Sequence, residues 1–246
     1  MQVKTKAIVL SSLKYQEKSL IVKCFTESDG LKSYFVPSAY SAKKANQKIA
    51  YFQPLTLLEI EANHKNKGTL EHFKEIRLAH SYYTITTDIV KSTLVIFLSE
   101  ILHHAIKEEE KNQNLFSFLE TALLWLDTND EVTNFHLILM TEVTKYLGFY
   151  PDDSEIDYPF FDSKEGYFTP FQNAHTLSDH ETHLFKRLLQ LKFDSDQKVF
   201  AGLERQILLK ILLDYYTLHL EGFKKPKSLE VLKEVFSKPT TFAFYL

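Results

Sequence analysis

Residues 4–48 read KTKAIVLSSLKYQEKSLIVKCFTESDGLKSYFVPSAYSAKKANQK. This stretch holds three strand-like runs, one tight turn and a basic loop. In Ser19–Thr26, apolar residues surround a single lysine, Lys23. Strand alternation puts Leu20, Val22 and Cys24 on one face and Ile21, Lys23 and Phe25 on the other. In the next run Leu31, Ser33 and Phe35 share a face, and Lys32 and Tyr34 share the opposite one. The pattern predicts that the Lys32/Tyr34 side is the exposed one. A cation beside an aromatic there suits a nucleic-acid strand, with lysine on phosphate and the ring on a base. Solvent-facing lysines also guard strand edges against aggregation, so the loop that follows adds weight. Pro37–Lys48 carries Lys43, Lys44 and Lys48, with Tyr40 among them and no acid.

Working outward, Val3–Leu10 and Leu20–Thr26 read as the first two strands. Glu27-Ser28-Asp29-Gly30 turns the chain directly into Leu31–Val36, forming a hairpin. Leu55–Glu61 follows Pro54 as a fourth strand. Asn66-Lys67-Gly68 leads into Leu70–Leu78, the fifth. Five short strands with one longer excursion after the third match a small closed barrel. An OB-fold, which binds oligonucleotides, fits the pattern, as does an SH3-like barrel.

Beyond His80 the spacing becomes helical. Thr87 or Asp88 caps a helix with Val90, Leu94, Phe97, Leu98, Ile101 and Ala105 along one face. Asn112 or Asn114 opens a second, running to Leu126. A third spans about 133–147 and stops at Gly148 and Pro151. Residues 151–173 form the least regular stretch, with three prolines and six aromatics. Ser178-Asp179-His180-Glu181 has capping-box spacing. Further helices run over about 203–220 and from Ser228 to about Phe236. The fold class is therefore α+β: a five-stranded barrel over residues 1–80, then a helical domain over 81–246 with an insert at 151–173.

Charge divides the same way. Residues 1–80 hold 13 Lys/Arg against 7 Asp/Glu, a net of +6, whereas the rest of the chain is −9. The first part attracts polyanions, and the second suits protein contacts. No apolar run reaches the roughly 18 residues of a membrane helix, and no signal-peptide pattern opens the chain. With one cysteine, Cys24, an intrachain disulfide is excluded and the cytoplasm is the expected compartment. His175, His180 and His183 lie close together, but a helix N-terminus disfavours added positive charge, and no metal site is expected. The sequence has no phosphate-cradling glycine loop, GxSxG elbow or HExxH motif. Binding without catalysis is the expectation.

KTKAIVLSSLKYQEKSLIVKCFTESDG, QPLTLLEIE and GTLEHFKE resemble the N-terminal half of the bacterial recombination mediator RecO, and YYTLHLEGFKKPKSLEVLKEVF resembles its C-terminal region. The resemblance implies an OB-fold that binds single- and double-stranded DNA, anneals complementary strands and, with RecR, helps to load RecA. On it, Lys14, Lys18, Lys23, Lys32, Lys43, Lys44 and Lys48 contact phosphate, and Tyr34 and Tyr40 stack. The resemblance also implies that the helical half binds the acidic C-terminal tail of single-stranded DNA-binding protein, for which Lys186, Arg187, Arg205 and Lys210 are the available cations. Many RecO relatives carry a four-cysteine zinc site in the region of 151–173. This stretch has no cysteine, so packing of Tyr158, Phe160, Phe161, Tyr167 and Phe168 is expected to hold it, without a cofactor. The basic loop carries fewer cations than the family's, implying weaker DNA binding. Two other classes fit the residues: a protein-binding adaptor and an RNA-binding OB module.

Reversing Lys43 and Lys44 to glutamate is expected to cut single-stranded DNA affinity more than tenfold. Exposed loop changes shift stability by less than about 0.5 kcal/mol, so the melting temperature should barely move. For about five neutralised phosphates the parent should show a log–log salt slope of roughly −3.5. Equilibrium titration at several salt concentrations, with thermal melts of both proteins, measures each quantity.

Overall fold

A computed structural model describes residues 1–40, 49–65, 68–107, 109–195 and 199–237. Five antiparallel strands come first: β1 (Gln2–Tyr15), β2 (Ser19–Thr26), β3 (Gly30–Val36), β4 (Leu57–Asn63) and β5 (His72–Leu78). Their order in the sheet is β3-β2-β1-β4-β5. The long β1 serves both sides. Its first half pairs with β4, Gln2 opposite Asn63 through Ile8 opposite Leu57. Its later part pairs with β2, ending with Tyr15 opposite Ser19. The register shifts between Val9 and Ser11, a bulge that bends the strand from one partner to the other.

The two edge strands meet at Glu71. Its N–H donates to the Ser33 carbonyl at 2.8 Å, and its carbonyl accepts from the Phe35 N–H at 2.9 Å. The sheet thereby curls into the five-stranded OB barrel. Inside lie Val9, Val22, Cys24, Leu58 and Ile60, all nearly inaccessible. Gly30 closes the β2–β3 turn at φ 65°, a conformation that favours glycine.

β3 sorts its side chains opposite to the sequence expectation. Lys32 and Tyr34 face inward, and Leu31, Ser33 and Phe35 face out. Tyr34 is fully buried, stacks on Phe73 with centroids 4.0 Å apart, and hydrogen-bonds His64 Nε2 at 2.7 Å. His64 Nδ1 in turn lies 3.0 Å from the Asp29 carboxylate. Lys32 survives on the inner face because its long stem carries the ammonium toward the Glu109 carboxylate, 3.7 Å away.

The helices are α1 (Ile89–Ala105), α2 (Gln113–Thr128), α3 (Phe135–Leu147), α4 (Asp179–Gln190), α5 (Gly202–His219) and α6 (Leu229–Ser237). Asp88 caps α1 through the Lys91 N–H, Asn112 caps α2 through the Leu115 N–H, and Ser178 with Glu181 forms the capping box of α4. Gly148 ends α3 at φ 81°. The chain divides into two compact units. One joins residues 1–87 with 98–130, the other 88–97 with 131–246. The barrel unit thus includes α2 and the second half of α1. There Phe116 packs on Phe25 (5.9 Å between centroids) and Glu120 pairs with Lys6 at 2.8 Å.

In the second unit, the stretch expected to be irregular contains a small hairpin, β6 (Phe160–Asp162) with β7 (Tyr167–Thr169). Two of the five aromatics expected to hold it are fully buried. Phe161 packs on Phe168, and both leave Tyr158 and Tyr167 exposed. Phe161 also meets Phe185 at 4.7 Å. The Asp162 carboxylate ties the turn by accepting from the N–H groups of Lys164 and Glu165 and from the Asn173 amide.

In the barrel unit the buried Asp127 carboxylate accepts the backbone N–H groups of Tyr83, Thr84 and Ile85 at 2.8–3.0 Å. Burial pushes its pKa up, but these three donors outweigh that and hold it below the usual value. A depressed carboxylate pKa stabilises the fold above its unfolded value, and the gain disappears as pH falls through the folded value. Asp127→Ala should cost about 3 kcal/mol, from three backbone donors left unpaired. In urea unfolding followed from pH 7 downward, the gap between parent and Asp127→Asn should stay constant to about pH 5 and narrow below about pH 4.

Candidate nucleic-acid interface

The cations expected at the interface separate into distinct places. Lys14 and Lys18 are exposed at the β1–β2 turn. Lys14 Nζ sits 5.5 Å from the centre of the Tyr40 ring, and the Tyr40 N–H donates to the Lys18 carbonyl at 3.1 Å. The structure therefore gathers Lys14, Lys18 and Tyr40 at one end of the barrel, with Glu17 in the same turn. Tyr40 keeps 40% of its surface exposed, enough for a ring to be stacked upon.

Lys23 projects from the outer face of β2, opposite Ser11 and Ser33. Nearby, His103 lies 3.3 Å from the Ser11 hydroxyl. Burial, with the charges of Lys23 and His104, pushes the His103 pKa down to about 4. Lys32 and Tyr34 are inside the barrel, so Tyr34 offers no face to a base. Lys43, Lys44 and Lys48 lie outside the described residues.

The four cations expected to meet a partner do not converge. Lys186 lies over the Phe168 ring at 5.4 Å. Arg187 and Arg205 both fasten the turn before α5, donating to the carbonyls of Val199 and Phe200. Lys210 pairs with Asp214 at 2.9 Å. Among the described residues, no group of three or more His, Cys, Asp or Glu is placed to hold a metal ion. No helix among them is long and apolar enough to cross a membrane.

Two concavities on the barrel differ sharply in charge. One, about 270 Å³, is lined by Lys4, Lys6 and Arg77 but also by Glu27, Glu59, Glu61 and Glu75. Its carboxylates oppose a polyanion. The other, about 380 Å³, lies where β3 and β5 part beyond the Glu71 bridge. Phe35, Tyr51, Phe52, His72 and Phe73 line it, with Lys74 on its rim and no acid among its described lining residues. Sequence reasoning missed this site. The sequence pattern groups Phe35 with Leu31 and Ser33 on the inner side, whereas the structure turns that side outward. His72 reaches Phe35 only through barrel closure, 37 positions along the chain.

The fold and site define an OB-barrel binding module joined to a helical unit, with a ring-lined, acid-poor face on the barrel. Family comparison agrees. The family model for "Recombination protein O N terminal" matches residues 1–82, and that for "Recombination protein O C terminal" matches residues 86–230. The "DNA repair protein RecO" of Flavobacterium johnsoniae is 69% identical over 237 residues, covering 96% of this chain and all of the relative. That of Flavobacterium psychrophilum is 68% identical with the same coverage, and that of Christiangramia forsetii is 42% identical over 238 residues. The chain belongs to the RecO family of DNA repair and recombination proteins.

Because Tyr34 is a core residue, Tyr34→Phe should remove the bond to His64 and cost about 1–2 kcal/mol of stability. The folded variant should bind single-stranded DNA as the parent does. Denaturant melts and an anisotropy titration, run side by side, check both halves of this expectation.

Proposed function

We propose that this protein is a non-enzymatic recombination mediator. It binds single- and double-stranded DNA through the barrel, anneals complementary strands and, with RecR, assists the loading of RecA. The observation that carries this reading is the barrel end where Lys14 and Lys18 flank the exposed Tyr40, beside an acid-poor, ring-lined cavity. Phosphates need cations and bases need exposed rings; Lys14, Lys18 and Tyr40 bring both to one end of the barrel. Membership of the RecO family makes DNA the favoured ligand over RNA or a protein alone.

The helical unit is proposed to meet the acidic C-terminal tail of single-stranded DNA-binding protein. Such a tail needs an apolar slot with cations beside it. Leu209, Leu232 and Phe236 surround a small indentation of about 20 Å³ where α3, α5 and α6 meet, with Arg205 and Lys233 among its lining residues. Of the four cations expected from the sequence, Arg205 is the one at this indentation.

In an anisotropy titration at low salt, labelled single-stranded DNA should bind, and equal-length RNA should compete less well than DNA. Lys14→Glu with Lys18→Glu should weaken binding about tenfold, the loss expected from repelling one or two phosphates. Lys4→Glu, on the carboxylate-rich side, should have a smaller effect. Absence of DNA binding at low salt would leave the protein-binding adaptor as the better reading.

A further inference from the structure

Three rings form a line across the outer face of the barrel. Tyr15 stands at the end of β1, Phe35 near the end of β3 and His72 at the start of β5. The Tyr15 and Phe35 centroids are 6.2 Å apart and nearly perpendicular, and those of Phe35 and His72 are 6.0 Å apart in the same manner. Leu13, 60% exposed, projects from β1 two residues before Tyr15 and pairs with Ile21. The other end of this face is covered, since Phe25 packs against Phe116 of α2. One half of the sheet face is therefore roofed by a helix, and the other half presents rings and aliphatic side chains to solvent. A contiguous apolar patch of this kind marks an interaction surface.

The cavity beside the line shares Phe35 and His72 with it. Phe73 forms its floor, stacked between Tyr34 (4.0 Å, 13° between planes) and Phe52 (5.8 Å, 20°). A ring-walled space of about 380 Å³ with no described carboxylate suits an aromatic ligand. Cations border the same area. Lys14 and Lys18 stand at the Tyr15 end, and Lys74, whose ammonium donates to Gln2 at 2.6 Å, stands at the cavity rim.

A duplex presents phosphates but keeps its base faces stacked inside. A single strand presents both, alternating flat apolar bases with anionic links, which is the pattern of this surface. We propose that Tyr15, Phe35 and His72 stack successive bases of a single strand and that the adjoining cavity seats one unstacked base. The proposal rests on the DNA-binding reading above and adds the element that distinguishes a single strand from a duplex.

The test compares a labelled oligothymidylate with an abasic oligonucleotide of equal length and charge, using the full chain. The parent should bind the base-bearing strand at least about tenfold more tightly, as stacking of two bases at the low end of its usual strength requires. Tyr15→Leu with Phe35→Leu keeps apolar bulk while removing the rings. It should bring the base-bearing strand most of the way to the abasic affinity, the remainder being held by His72 and the cavity, with an unchanged salt slope and an unchanged melting temperature. Should the double variant melt early, His72→Leu alone, at an exposed position, should still reduce the preference. Equal binding of both strands by the parent overturns the stacking site while leaving the DNA-binding reading intact. No binding of either strand overturns both. Loss of RecR binding in the double variant, with its base preference retained, would assign the patch to a protein partner instead.

Discussion

The barrel depends on the meeting of its two edge strands at one residue. Glu71 gives both of its backbone hydrogen-bonding groups to β3, and its buried carboxylate accepts the Lys65 N–H with both oxygens at 2.9 Å. A five-stranded sheet left open would expose two unpaired edges. With the edges joined, each strand acquires a strict inside and outside. Tyr34, the bridge partner of Glu71, is committed to the interior along with His64, whose Nδ1 reaches the half-buried Asp29. Beyond the bridge β3 and β5 part, and that gap is the ring-lined cavity. Closure and cavity therefore come from the same contact: the cavity exists because the strands are pinned at Glu71 and nowhere further along the described backbone.

Much of this was legible because local chemistry and tertiary demand agree. Gly30 supplies the positive φ that the β2–β3 turn requires, so the hairpin was readable from four residues. Ser178 and Glu181 announce α4 by the same local logic. Other features depend on partners distant in sequence. Ser11 and Ser12 look like a strand end, yet β1 runs on to Tyr15 because β2 pairs with it there. Lys32 looks like a surface residue, yet its stem lies in the barrel and only its ammonium reaches Glu109. The β6–β7 strands are three residues each, too short for alternation to register. The line of Tyr15, Phe35 and His72 joins residues from three strands and appears only when the sheet curls.

Electrostatics refines the division of the chain into a basic first part and an acidic remainder. The +6 of the first 80 residues is not spread evenly over the barrel. Lys4 is committed to Glu61 at 3.3 Å, Lys6 to Glu120 and Lys32 to Glu109. Such pairs add little stability where exposed, but they neutralise the cations involved. Lys14 and Lys18 stand outside this set, on a turn beside exposed rings. Net charge alone thus overstates how much of the barrel attracts a polyanion, and pairing narrows the set of cations left to attract one.

That narrowing bears on how such a surface would serve annealing, on the reading proposed above. A protein that held DNA chiefly by many phosphate contacts would bind tightly at low salt and release slowly. Each cation already matched by a carboxylate would reduce that electrostatic part. Stacking then supplies affinity without reading sequence, since every base has a π-face. It also occupies the faces of the bases and leaves their hydrogen-bonding edges free. A second strand can therefore begin pairing while the first is still held. As pairs form, the bases restack on one another and leave the rings, so the duplex product loses the contacts that retained its precursor. On that reading, the line of rings would favour capture of single strands and release of the annealed duplex.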